Sequence, residues 1–203
     1  MAAAAVGKCP VRDPLADVLV CEDLRLEDDV VSAPSELVGK RSILVPVAAA
    51  HVPELMRIRA TPEVRERWGV QAASESWPFD HSSSTRFAVL VNEAVRGMVQ
   101  FGEENDADYR HASIDIFLDP AVHGHGIGRD TVATMARYLV HDRGHHRLVI
   151  DPAADNESAI RCYAAVGFRP VGIMRRYERD PVGYGWHDGL LMDLLAEELD
   201  SPS

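Results

Sequence analysis

The chain has 203 residues, 46% hydrophobic and 26% charged, which suffices for one full core plus an extension and excludes a fibrous or wholly disordered chain. Its formal net charge of −11 opposes the phosphate neutralisation on which nucleic-acid binding depends and favours a cationic partner. No apolar stretch approaches the roughly 20 residues of a membrane span, and the alanines at 2 to 5 are too few for a signal peptide, so a cytoplasmic protein with no membrane partner is expected.

Residues 1–39 carry scattered acids, prolines at 10, 14 and 34 and little periodicity, and read as a partly disordered extension with one short strand near 17–21. The folded domain is expected over 40–197, with 198–203 as a tail. Residues 41–47 bring together Ile43, Leu44, Val45 and Val47 as a first strand. Residues 51–60 space Leu55, Met56 and Ile58 helically with Pro53 near the start, and 62–68 form a second helical piece stopped by Gly69. Two β-rich runs, 86–90 and 97–101, flank Asn92 and Glu93 as an antiparallel hairpin. An acidic loop over 103–108 leads to the apolar strand 112–118.

From 126 to about 141 the set Ile127, Val132, Met135, Ala136, Leu139 and Val140 recurs at helical spacing, with Gly144 as its stop. A buried strand at 147–150, a helix over 157–166 capped by Asn156 and stopped by Gly167, and β runs at 171–179 and 190–195 complete the chain. The order is β, helices, hairpin, β, α, β, α, ββ, an α/β pattern without internal repeat. Cys9, Cys21 and Cys162 lack metal-ligand spacing and fit free thiols in a reducing compartment.

Between the strand ending at Leu118 and the helix opening at Gly126 runs Asp119-Pro-Ala-Val-His-Gly-His-Gly-Ile-Gly-Arg129. Its glycines allow tight turning and close approach, and the first amides of the helix are free for an anion, so a pyrophosphate is the natural occupant. A P-loop would need Gly-Lys-Ser/Thr, whereas Arg129 and Asp130 follow Gly128; a Rossmann fingerprint would place two residues between its second and third glycines, where Ile127 stands alone. Further on, Asn156 precedes a helix, Tyr163 follows seven residues later, and Gly167-Phe168 closes it.

In this register the chain resembles the GNAT superfamily of N-acetyltransferases, whose coenzyme A loop reads Arg/Gln-x-x-Gly-x-Gly/Ala. Here that loop is His123-Gly-His-Gly126-Ile-Gly128, with His123 in place of the usual Arg or Gln. The resemblance, over about residues 40–197, implies a mostly antiparallel sheet splayed between its fourth and fifth strands, with helices on both faces. It implies acetyl-coenzyme A held by His123, Gly124, His125, Gly126, Ile127, Gly128 and Arg129, with Asn156 on the pantetheine arm. Amides near Phe117 and Leu118 would hold the thioester carbonyl, and the Tyr163 phenol would assist the departing thiolate. Cys162 is not nominated as a nucleophile, and Phe168 is assigned to packing.

A primary amine must lose its proton before it attacks a thioester, so carboxylates are sought. Asp115 interrupts an apolar strand, which is costly unless it is paired or functional; Asp151 closes the next strand before Pro152, where it faces the same cleft or forms a turn. These two segments look most like the aminoglycoside 6′-N-acetyltransferases, in which acids at both positions bind the antibiotic and help deprotonate its amine. That likeness implies Trp68 at the cleft entrance and Glu103 and Glu104 on a bordering acidic loop. The long final hairpin, with Trp186 and His187 at its end, leaves a peptide terminus, a lysine or another amine as alternatives. A noncatalytic acyl-coenzyme A sensor is the reading from another class. The histidines form no metal pattern, and a homodimer is left open.

Overall fold

The computed structural model describes residues 34–69, 77–79, 83–180, 183 and 185–199; the strand expected near 17–21, with residues 1–33, and residues 200–203 lie outside them. Eight strands are formed: β1 (Leu37–Val38), β2 (Ile43–Pro46), β3 (Thr85–Val91), β4 (Ala94–Glu104), β5 (His111–Leu118), β6 (Arg147–Ile150), β7 (Arg169–Arg179) and β8 (Trp186–Leu195). They make one sheet in the order β1-β2-β3-β4-β5-β6-β8-β7, antiparallel throughout except between β5 and β6. The helices are α1 (Val52–Arg59), α2 (Pro62–Trp68), α3 (Ile127–Arg137), α4 (Glu157–Ala164) and α5 (Ala196–Leu199). The element order expected from periodicity is the one observed, with β1 and α5 added at the ends.

Local chemistry explains the joints. Asn92 and Glu93 both take positive φ, 49° and 65°, which is the twist a two-residue hairpin between β3 and β4 requires. Pro62 opens α2 and Gly69 ends it at φ 72°. Period-2 alternation then sorts side chains between two cores. Phe87, Val89, Val99, Phe101 and Ile114 face Ile127, Val132, Met135 and Leu139 on the α3 side, while Met98 and Phe117 face Leu55, Ile58 and Val64 on the α1–α2 side. The apolar periodicity of α3 continues past Arg137 through a wider turn, Tyr138–Asp142, closed by Arg143 N donating to Tyr138 O (3.1 Å).

One carboxylate ties the first hairpin to α3. Asp130, buried in the first turn of that helix, accepts from the backbone N–H groups of Lys40, Arg41 and Ser42 and from Ser42 Oγ, each at 2.9 Å. Gly39 makes room for this, since a Cβ there would strike the Asp130 carboxylate. Burial alone would raise the pKa of Asp130; the amides of Arg41 and Lys40 and the Ser42 groups outweigh it and hold the carboxyl below its ordinary value.

Because that folded-state pKa lies below the unfolded one, this stabilisation is full above the unfolded value of about 3.9 and is lost as pH falls through the folded value. Asp130→Ala strands three amides and should cost about 2–4 kcal/mol. Urea unfolding at neutral and acid pH should show this loss, together with a shallower acid dependence than that of the parent.

Candidate active site

β5 and β6 pair only at Ala112–Leu148 and Ser113–Val149. β6 then stays with β8, its continuation bonding through Leu190 N to Pro152 O and Ala154 N to Asp188 O, both 2.8 Å. The gap opens a cleft of about 840 Å³ whose lining joins Asp115, Asp151, Asn156 and Tyr163 to Trp68 and the glycine loop. Asp119 N donates to Arg96 O (2.7 Å), so ladder alternation directs the amides of Phe117 and Asp115 toward β4 and those of Leu118 and Ile116 across the gap. Of the two residues expected to present amides, only Leu118 has its N–H directed into the cleft; Ile116 joins it.

The glycine loop leaves β5 under control of Asp119, a buried carboxylate that accepts from Ala121 N (3.1 Å) and Arg57 Nη2 (2.6 Å). His123 Nε2 donates to Leu118 O (3.1 Å), so this ring braces the loop against the strand end. Gly124 and Gly126 stand at φ 75° and 78°, the left-handed region that disfavours any side chain. Gly126 is the N-cap of α3, and the N–H groups of Ile127, Gly128 and Arg129 begin the helix without helical acceptors. A Cβ on Gly128 would sit 3.3 Å from Cys162 Sγ, so glycine also permits α3 to approach α4. The Ile127 side chain is in the core and His125 lies off the cleft lining, its Nδ1 donating to His123 O (2.9 Å). Either could meet a ligand in the cleft through backbone alone.

α4 presents two groups to the gap. Asn156 Oδ1 caps the helix by accepting from Ala159 N (3.2 Å), which leaves its amide nitrogen without a partner among the described residues. Tyr163, 9% exposed, has its phenol pKa pushed well up by burial, with Cys162, Asp115 and Asp151 adding to the effect. Cys162 shares the cleft wall, but burial raises its pKa and keeps it a neutral thiol, which fits its exclusion as a nucleophile.

The carboxylates gather on the β7–β8 side. Asp115 is open to solvent at the cleft yet walled by protein, and this desolvation raises its pKa, with Asp151 adding and Gln100 opposing. Arg86, Gln100 and Asp115 are direct cross-strand neighbours on β3, β4 and β5; Arg86 Nε donates to Gln100 Oε1 (3.0 Å) and Gln100 Nε2 to Asp115 Oδ2 (3.1 Å). Tyr177 hydrogen-bonds Asp151, which with burial pushes the phenol up to about 12. Glu178 is raised by burial and by Asp151 and Asp115, against the opposing His187, whose Nε2 is 3.5 Å away. Gln100, Tyr177 and Glu178 were missed in the sequence because their roles depend on strand register and on where the last hairpin folds.

Trp68 lines the cleft: its Nε1 donates to Ile116 O (3.2 Å) and its ring meets Phe117 edge-on at 5.0 Å. Beside it Arg67 Nη1 reaches Asp155 Oδ1 across the mouth (2.6 Å). Glu103 and Glu104, expected to border the cleft, lie away from it. Both belong to β4, opposite Ala112 and His111 at the end where β5 and β6 remain joined, and neither lines the cleft. Glu103 is occupied by Arg143 Nη2 (2.8 Å) and by the buried His145 Nε2 (2.7 Å), a structural cluster that a count of acids cannot distinguish from a binding loop.

A splayed sheet, a glycine loop with free helix amides and a cleft running between them fit an elongated diphosphate ligand. The N-acetyltransferase 9-like protein of Nematostella vectensis is 27% identical over 159 residues, covering 66% of this chain and 78% of that protein. The N-alpha-acetyltransferase RimI of Mycobacterium tuberculosis is 32% identical over 103 residues, covering 50% of this chain and 60% of that one. In fold, the chain is similar to Mycobacterium smegmatis RimJ in complex with CoA-disulfide, with a TM-score of 0.72 at 22% identity over 83% of this chain and 90% of that chain. The model of the Acetyltransferase (GNAT) family matches residues 52–168, more than half of the chain. The protein therefore belongs to the GNAT acetyltransferases and is an acetyl-CoA-dependent N-acetyltransferase.

Proposed function

We propose that the acceptor is a small polycationic amine of the aminoglycoside kind, acetylated at a primary amino group in a ternary complex with acetyl-CoA. The observation that carries this reading is the acidity of the acceptor half of the cleft. Asp115, Asp151, Glu178 and Asp180 line the cleft together; of its three arginines, Arg67 and Arg161 are each paired with a carboxylate, Asp155 and Glu157, and Arg129 lies at the glycine loop. Such a surface attracts ammonium groups and orients them.

When bound, acetyl-CoA supplies the acetyl group as a thioester. The Leu118 and Ile116 amides, directed into the cleft, would hold its carbonyl oxygen and stabilise negative charge there. Asp151, hydrogen-bonded by Tyr177, binds the acceptor as its ammonium; Asp115 takes the ammonium proton before attack and passes it to solvent, then takes the second nitrogen proton as the C–N bond forms. Tyr163, kept protonated by burial, would give its proton to the departing sulfur and recover one from water. Gln100 orients Asp115 and is a positioning residue.

The raised pKa of Asp115 bears on the pH profile. The base must be ionised, so turnover rises as pH climbs through a value above that of an ordinary aspartate. Asp115→Asn should lower kcat by roughly 10²-fold to 10⁴-fold and remove that limb, with coenzyme A affinity little changed. Gly126→Val forces a β-branched side chain into φ 78° and should weaken coenzyme A binding at least about tenfold in calorimetry, with the fold checked by circular dichroism.

A second reading, acetylation of a peptide or protein α-amine, is favoured by the likeness to an N-alpha-acetyltransferase. Coenzyme A release measured with aminoglycosides, polyamines, free lysine and peptide N-termini at equal concentration separates the two. A preference for aminoglycosides supports the first; turnover of peptides alone replaces it with the second.

A further inference from the structure

We propose that Arg41, in the turn between β1 and β2 and far in sequence from the glycine loop, binds the phosphates of coenzyme A. Its position is imposed by the Asp130 clamp. The carboxylate that holds Lys40, Arg41 and Ser42 by their backbone amides belongs to the first turn of α3, the helix whose free N–H groups would meet the diphosphate. The turn carrying Arg41 is thereby pinned beside that N-terminus.

The guanidinium follows the backbone to the loop. Arg41 Nη1 is 3.5 Å from His125 O, and a Cβ added at Gly126 would stand 3.8 Å from Arg41 Nε. Arg57, Arg67, Arg143 and Arg147 are each matched to a carboxylate, but the Arg41 side chain meets none among the described residues. A cation with an anchored backbone and an exposed head, held among the described residues only by one long bond to His125 O and set against the glycine loop, has the geometry for forked bonds to phosphate oxygens.

Charge makes the contact useful. The chain carries −11 and its cleft is acidic, so the several negative charges of coenzyme A are repelled at long range. Arg41, with Arg129 at the same loop, supplies local positive charge where the helix amides alone supply partial charge. His123 is turned back onto Leu118 O, so the side chain at the position that carries Arg or Gln in the resembled motif is engaged with the strand end here.

The proposal rests on coenzyme A occupying the loop from His123 to Arg129. Arg41→Gln keeps the backbone amide that Asp130 uses, so its melting temperature should match the parent. Calorimetry with coenzyme A should show affinity lowered roughly 10-fold to 100-fold, as for a lost charge-assisted pair, with a shallower salt dependence. In kinetics the loss should fall on KM for acetyl-CoA and spare KM for the acceptor. A loss retained with 3′-dephospho-coenzyme A places the contact at the diphosphate, and a loss that disappears places it at the 3′-phosphate; both support Arg41. Parental affinity for both ligands in Arg41→Gln, with Gly126→Val losing affinity, overturns the role of Arg41 and leaves the loop assignment intact. Parental affinity in both variants overturns the two together.

Discussion

The parallel ladder between β5 and β6 lasts two residue pairs and then ends, and every feature of the site follows from how the freed backbone groups are accounted for. β6 keeps its hydrogen bonds by following β8, so the vacancy falls on β5. Two of its carbonyls are taken by side chains, Ile116 O by Trp68 and Leu118 O by His123. The amides of Ile116 and Leu118 are left directed into the cleft. Buried N–H groups seldom go without acceptors, so a strand edge of this kind is prepared for a ligand that brings carbonyl oxygens.

The cleft has two electrostatic halves. At one end the α3 amides and Arg129 offer positive charge to an anion, with Arg41 beside the glycine loop; at the other, burial and the Asp151 charge raise the pKa of Asp115, burial and both aspartates raise that of Glu178, and the acids together gather cations. The carboxylates are not left to drift. Arg86 and Gln100 extend a hydrogen-bonded line across three strands to Asp115, and Tyr177 holds Asp151, so both acids are placed by neighbours with ordered positions of their own. Pre-organisation of this kind puts the ordering cost into folding and removes it from binding.

Asp130 joins these demands to the fold. An ion at that depth is tolerable because its hydrogen bonds come mainly from consecutive backbone amides, which keep their donors wherever the side chains vary. The same clamp sets the height of the first hairpin against α3, which makes the hairpin part of the cofactor end rather than a separate appendage.

The sequence by itself determined the element order, the glycine loop and the Asn156–Tyr163 helix, because these depend on local periodicity, on positive φ at Gly124 and Gly126 and on a cap three residues from its donor. It also singled out Asp115 and Asp151, since an acid at a strand's interior or end is conspicuous among apolar neighbours, and the structure puts both in the cleft lining. Only the tertiary structure decided which acids share the cleft. Glu103 looked like a binding residue by composition, yet register carries it to the joined end of β5, where Arg143 and His145 consume it. Glu178, Tyr177 and Gln100 looked ordinary until the last hairpin and the cross-strand pairing brought them to the site. Arg41 required contact across nearly ninety residues, through a carboxylate whose partners are backbone groups and therefore leave no mark in residue type. Local pattern determines what a segment is; which distant segments meet is set by register and long-range packing, and the chemistry of this site is built where they meet.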